Sequence, residues 1–457
     1  MSAQSITEKL EVILLPIAAK ISSNRYLLAM RDAFSIILAF VLVGSFFGVL
    51  NWVILDPFGT VMGPDGMNLG RLFTGLSGDA YKNSEFVSTI TNIQYVGNLV
   101  VTASFGIFSL LLTISFGYRL GDIWKSDKLI SAMLAFVSFI ILVPQSFKQL
   151  IDPKGTETII VNGAIKIASF GTSAVMSALI ITTVVVWIFS KLTHNKKLLI
   201  TMPESVPESV TRSFQALIPI TITLLFVALV ASVLHWLEQP AFNDLLYAII
   251  QAPLLGFSQG IGFAVLYQFI IWFFWWFGIH GHNVTAVIQN SVYFPAQLAN
   301  QEGSASYIFS NGFFEAGLMH VMGLAIAILL FSKRDDWKAV VKVGLPSMIF
   351  NIQEPLAFGI PIVLNPLFLI PYVLVPIINT FIGWFAITVH LVPVFNFVVP
   401  WTMPLFFGGM IGTGSLSGGL LQVVYLLVDI MCYAPFVIIG NKIRADNDSM
   451  VKTSLGA

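Results

Sequence analysis

The chain has 457 residues, of which 56% are hydrophobic and 10% charged, and its mean hydropathy is +0.86. This composition excludes a soluble domain, and 23 basic residues balanced by 23 acidic ones remove the electrostatic case for a nucleic-acid partner. The single cysteine, Cys432, excludes an internal disulfide framework and argues against a Cys-rich metal site; within the last apolar run it reads as a small buried side chain.

The expected fold class is an all-α polytopic membrane protein in a lipid bilayer. The N-terminus lacks the short apolar core and cleavage site of a secretory signal. Leu10, Ile13, Leu14, Ile17 and Ile21 instead recur at helical spacing beside Glu8, Lys9, Glu11 and Lys20, as in an amphipathic helix lying at the interface. Since roughly 20 apolar residues cross the hydrocarbon core, spans are expected at 31–55, 96–118, 129–147, 170–190 and 210–235. Lys9, Lys20 and Arg25 precede the first span, Arg119, Lys125 and Lys128 follow the second, and Lys191, Lys196, Lys197 and Arg212 follow the fourth. The bias of positive charge towards the cytoplasm predicts a cytoplasmic N-terminus. In TIIVNGAIKI (158–167), Asn162 and Gly163 between β-branched runs predict the turn of a small external hairpin.

KLTHNKKLLITMPESVPESVTRSF (191–214) mixes a basic cluster with Pro203 and Pro207, and is the strongest internal boundary. It divides the chain into residues 1–208 and 209–457. Beyond it, 242–257 carries Asp244, Gln251 and Pro253 and suits a linking or interfacial helix, and a span follows at 260–277. The segment after His280 holds Asn283, Gln289, Asn290, Gln297, Asn300, Gln301 and Glu302, too polar to face lipid. Such backbone at membrane depth must line protein or a water-filled cavity, so a re-entrant hairpin is expected. A second is expected over 340–364, where Pro346, Pro355 and Pro361 break the run and Asn351, Gln353 and Glu354 break its polarity. With spans at 317–331, 367–390, 404–413 and 420–439, about ten crossings fit. No long internal repeat is evident.

Candidate chemistry converges on two segments. Glu354 sits in NIQEPLAFGIPIVLNP (351–366), and an ionisable group at bilayer depth marks a substrate or ion pathway. WWFGIHGHN (275–283) adds two indoles and two histidines broken by Gly278 and Gly281. A carboxylate accepts from sugar hydroxyls and an indole covers a sugar's apolar face, so the two together read as a sugar site. Trp276 by itself reads as an interfacial aromatic. His282, His320 and His390 read as satisfiers of neighbouring polar groups. Asp429 is a buried acid without a substrate account. The H-G-H pattern lacks the further ligands of a zinc shell, so neither a metal nor a cofactor is expected.

LEVILLPIAAKI (10–21), VPESVTRSFQALIP (206–219), QAPLLGF (251–257), WWFGIHG, FNIQEPLAFGIPIVLNPLFLIPYVLVPIIN (350–379) and VPWTMP (399–404) resemble, in that order, the IIC subunits of the bacterial phosphoenolpyruvate-dependent sugar phosphotransferase system, in the lactose, cellobiose and diacetylchitobiose group. The resemblance covers nearly the whole chain. It implies a multi-pass permease of the bacterial cytoplasmic membrane, a homodimer with an N-terminal dimerisation half and a C-terminal sugar-binding half containing two hairpins. It implies a disaccharide substrate of the cellobiose, chitobiose or lactose type, phosphorylated by a cysteine of a separate IIB protein, with IIA and IIB supplied in trans. Residue by residue, it implies that His280 and Glu354 contact the sugar, joined by Trp275 and Trp401; Asn351, in the same segment as Glu354, is included in the candidate binding set. Glu354 would orient or deprotonate the attacking hydroxyl. Two departures stand out: Gln353 replaces the usual Asn before the glutamate, and NGFFEAGLMHVMG (311–323) replaces a Gly/Ser-rich segment, bringing Glu315 and His320 towards the pocket. The alternative function is a proton-coupled secondary sugar symporter with Glu354 as the proton carrier. Whether the chain itself counts as an enzyme stays open, because the phosphoryl-donor cysteine lies on another protein.

Overall fold

The computed structural model describes residues 24–455, except 60, 65–66, 105, 151–157, 204–205, 318–319, 361 and 364. The amphipathic segment expected at 10–21 lies outside the described residues.

Helix α1 (Arg25–Val49) starts where the Asn24 side chain accepts from the Tyr26 and Leu27 amides, and it runs into a wider helical turn at Leu50–Ile54. Helices α2 (Glu85–Ser104) and α3 (Phe108–Ile123) form one pair bent by 40°, where the sequence predicts a single run over 96–118. Helix α4 (Lys128–Leu142), capped by Asp127 on the Ile130 amide at 2.9 Å, is 15 residues long, shorter than the expected span at 129–147. The residues after it instead pair as β1 (Ser146–Leu150) and β2 (Thr158–Asn162) in an antiparallel hairpin. Asn162 faces Ser146 across the ladder, so Asn162 and Gly163 end the second strand and do not form the turn predicted from them. Gly163, with φ of 69°, donates to the Gln145 carbonyl at 3.0 Å and closes the base of the ladder.

Helices α5 (Val175–Thr193) and α6 (Glu208–Trp236) complete the first group. One core joins Phe34, Phe108, Phe116, Phe139 and Val186; a smaller one joins Leu134, Val185, Phe189, Ala216 and Val227. Ala216 and Val227 belong to α6, so this helix packs with α4 and α5 although it follows the boundary drawn near residue 208.

Helical segments Phe242–Ser258 and Ile261–Trp276 meet at a 79° corner, as a linking helix before a span would; the second is α7. Residues 281–301 form a broken helical rod whose last part is α8 (Phe294–Gln301), followed by α9 (Asn311–Ala316) and α10 (His320–Phe331). Helix α11 (Asp335–Met348) folds back on α12 (Glu354–Gly359), giving the second expected hairpin its helical arms. Helix α13 (Pro366–Thr388) begins under an Asn365 cap, α14 (Phe407–Thr413) has seven residues, and α15 (Leu416–Leu455) closes the described chain. The largest core, including Trp272, Tyr293, Phe309, Tyr372 and Tyr433, holds this group together.

Among the described residues six helices are long and apolar enough to cross a membrane, and eight if each bent pair counts as one span. The difference from about ten lies in α4 and in 404–413, whose apolar runs are broken before they reach the ~20 residues of a full crossing.

Candidate functional site

A cavity of about 460 Å³ opens between α1 and the C-terminal group. It is lined by all five binding residues expected from the sequence: Trp275, His280, Asn351, Glu354 and Trp401.

The GIHG segment turns the chain sharply after α7. Gly278 has φ of 78°, and a Cβ on Gly281 would lie 1.9 Å from the Ile271 carbonyl oxygen, so only glycine lets the turn press back on the helix it has left. This returns His280 to Trp275, with ring centroids 4.4 Å apart. The His280 Nδ1 accepts from the Asn283 amide at 3.4 Å, a long bond that sets the ring at the head of the broken rod. Trp275 is 4% exposed, and its indole N–H donates to Nδ1 of His282 at 3.2 Å. Trp275 thus supports both histidines from behind.

Glu354 opens α12 with Pro355 next to it, a residue whose fixed φ and missing N–H suit a first helical turn. The carboxylate is solvent-accessible and lies within electrostatic reach of His280. The preceding Gln353 is buried and accepts from the Tyr372 hydroxyl at 3.1 Å. Asn351 adopts φ of 63°, a left-handed conformation that Asn tolerates. Its Nδ2 donates to the carbonyls of Trp401 and of Met403 (3.1 Å), tying the hairpin to VPWTMP, while its Oδ1 has no partner among the described residues. The Trp401 indole is 49% exposed.

Several cavity residues were not singled out as binding candidates from the sequence. Arg31, Phe34, Ser35, Leu38 and Leu42 form a wall on α1. Nothing in an apolar run starting at an arginine marks it as a cavity wall, because only the tertiary fold brings α1 against the broken rod. Gln289 donates to Asn311 at 2.8 Å and Asn311 to Glu315 at 2.8 Å, a polar chain within the cavity lining. Glu315 lines the cavity, as the 311–323 departure suggested. His320 does not: it is fully buried behind the site, hydrogen-bonded to the Tyr433 hydroxyl at 2.9 Å and edge-on to Trp272 at 4.0 Å. Trp276 is also buried, donating to the Asn365 carbonyl at 3.0 Å, which corrects its reading as an interfacial aromatic. His390 is exposed, in a left-handed turn after α13.

Residues 31–376 match the family model described as phosphotransferase system, EIIC. The chain belongs to the phosphotransferase system EIIC family. This EIIC chain is 31% identical over 442 residues to the PTS system oligo-beta-mannoside-specific EIIC component of Bacillus subtilis, covering 94% of this chain and 93% of that protein. It is 28% identical to the PTS system cellobiose-specific EIIC component of Lactococcus lactis, covering 96% and 98%. Its structure is similar to the crystal structure of the transporter ChbC, the IIC component from the N,N'-diacetylchitobiose-specific phosphotransferase system, with a TM-score of 0.82, 28% identity and coverage of 96% and 99%. Membership makes the chain a multi-pass membrane permease subunit of a sugar phosphotransferase, working with EIIB and EIIA proteins, and decides against the symporter alternative.

Proposed function

We propose that this EIIC binds a β-linked disaccharide in the cavity between α1 and the hairpin carrying Glu354, and presents one sugar hydroxyl for phosphorylation by EIIB. The observation that carries this reading is the convergence on one cavity of the Glu354 carboxylate, the His280 imidazole, the half-exposed Trp401 indole and the Oδ1 of Asn351, which has no partner among the described residues. A carboxylate and an open carbonyl accept from hydroxyls, and an indole covers the sugar's C–H face. The volume suits a ligand of this size, since small-molecule sites span about 300–1,000 Å³. Relatives named for oligo-β-mannosides, cellobiose and diacetylchitobiose point to the β linkage.

Glu354 orients the attacking hydroxyl and can take its proton, His280 hydrogen-bonds beside it, and Trp275 holds both histidines in place. The N-terminus is assigned to the cytoplasm, with Arg25, Arg119, Lys128 and Lys191 near the helix ends on that side and Lys125 in the loop between α3 and α4. We further propose a homodimer joined through the N-terminal group, which cross-linking in native membranes would test.

Calorimetric titration of the purified protein with cellobiose and diacetylchitobiose tests the site. Glu354→Gln should weaken binding about tenfold or more, because charge-assisted hydrogen bonds contribute about 1.5–3 kcal/mol. Vesicles should accumulate sugar phosphate only with phosphorylated EIIB. Equal affinity in Glu354→Gln and wild type would remove the carboxylate from the site, and accumulation of unmodified sugar on a proton gradient would overturn the reading.

A further inference from the structure

Among the described residues, Arg31 is the only Lys or Arg lining the cavity. The broken rod runs beside α1 in the same direction, as three contacts show: Ser291 Oγ to Met30 Sδ at 3.9 Å, Phe294 to Phe34 with ring centroids at 6.4 Å, and Ser45 Oγ to Gln301 Oε1 at 3.3 Å. Going back along the rod from Ser291 to Gly281 therefore leads towards the start of α1. His280 stands at the head of that rod, and Arg31 lies near the start of α1 on the cavity wall. Asp32 accepts from Nε and Nη2 of Arg31 at 3.3 and 3.0 Å and lies 3.9 Å from Arg119, so Asp32 serves two guanidinium groups at once. The Arg31 side chain keeps 40% of its surface exposed.

A phosphotransferase brings a doubly charged anion to this cavity, and phosphoryl transfer depends mainly on alignment and on cations that stabilise the equatorial oxygens. A guanidinium, planar and permanently charged, fits that task. We propose that Arg31 is a catalytic residue that contacts the phosphoryl group as it passes from phosphorylated EIIB to the sugar. In the step, the sugar hydroxyl oxygen bonds to phosphorus, the bond from phosphorus to the EIIB donor atom breaks, and its electron pair leaves with that atom. The hydroxyl proton goes to the Glu354 carboxylate. Arg31 forms and breaks no covalent bond. The inference rests on the reading of this cavity as the sugar site.

The full-length protein in vesicles, given phosphorylated EIIB and cellobiose, tests it through Arg31→Gln and Arg31→Lys. Sugar affinity by calorimetry should stay within about twofold of wild type in both. Single-turnover transfer should fall about 100-fold or more in Arg31→Gln, the scale expected for losing one transition-state donor. Arg31→Lys should recover part of it, and the EIIB concentration giving half-maximal rate should not move. Wild-type transfer by Arg31→Gln would overturn the inference. So would a lost sugar affinity, which would make Arg31 part of the sugar pocket, or a shift confined to EIIB dependence, which would make it a docking residue. Should Arg31→Gln fail to insert, Arg31→Lys is read alone, and unchanged transfer there would also count against it. Unaltered sugar binding in Glu354→Gln would instead remove the cavity reading, so the two failures are distinguishable.

Discussion

Tyr372 on α13 donates its hydroxyl hydrogen to the side-chain carbonyl of Gln353 at 3.1 Å, and Gln353 is the residue immediately before Glu354. The glutamine that departs from the usual Asn thus uses its extra methylene to reach a buried tyrosine, fastening the head of α12 to a long helix. Tyr372→Phe removes that tie while keeping the ring against Trp272 and His320. A neutral hydrogen bond contributes about 0.5–1.5 kcal/mol, so sugar affinity should fall by a few fold, up to about tenfold, with normal expression. Unchanged affinity by calorimetry would show that Glu354 is positioned without this bond.

The two histidines should fail in different ways. His280 presents its ring to the cavity, so His280→Ala should lose sugar binding with little change in thermal stability. His282 accepts the indole N–H of Trp275, so His282→Ala leaves a buried donor unpaired, at a cost of about 1–3 kcal/mol. Its melting temperature in detergent should drop first. Thermal melts and sugar titrations on both variants separate these outcomes, and the reverse pattern would assign the roles the other way round.

Gly281→Ala should be among the most damaging single-methyl additions near the cavity. Its Cβ would overlap the backbone carbonyl of Ile271, which cannot rotate aside as a side chain could. Loss of the monodisperse peak in fluorescence-detected size exclusion is expected; a stable, sugar-binding variant would show that the turn can open.

Asp429, fully buried on α15, accepts from Asn379 Nδ2 at 2.8 Å, and its other oxygen has no partner among the described residues. Asp429→Asn keeps an acceptor for Asn379 and removes the ionisable group, so the fold and transport should survive. Asp429→Ala leaves the Asn379 amide unpaired and should cost about 1–3 kcal/mol of stability. Transport lost in a well-folded Asp429→Asn would give this acid a part in the transport cycle.

Lys196 and Lys197 are exposed in a short helical turn after α5, in the linker between α5 and α6. Reversing both to Glu should slow EIIB-dependent uptake and raise its salt sensitivity without altering sugar affinity, because rim charges act mainly on encounter rates. Normal kinetics across EIIB concentrations, in a correctly inserted variant, would leave these lysines a topological role alone.

The candidate segments that meet at the cavity could be picked out because they hold expensive choices in an apolar chain: a carboxylate, histidines, glycines and prolines where lipid-facing segments want none. The hairpin arms could be read from the same interruptions. What the sequence hid depends on partners far along the chain. The placement of Trp276 turns on the Asn365 carbonyl, the burial of His320 on Tyr433, and the role of Arg31 on a rod beginning 250 residues later. The β-hairpin shows a similar limit: Asn-Gly is a strong local turn signal, yet pairing of 146–150 with 158–162 moved the turn elsewhere.

The α1 wall shares one core with the end of the broken rod, around Phe34, Phe116, Phe294 and Leu298, whereas Trp275 and its neighbours belong to the core around Trp272 and Tyr372. The cavity is therefore a seam. A small slide of the Trp275 group against α1 would reshape its mouth, the kind of shear that packed helices accommodate at low cost. A ligand held across that seam joins both units, so occupancy itself becomes a brake on their relative movement.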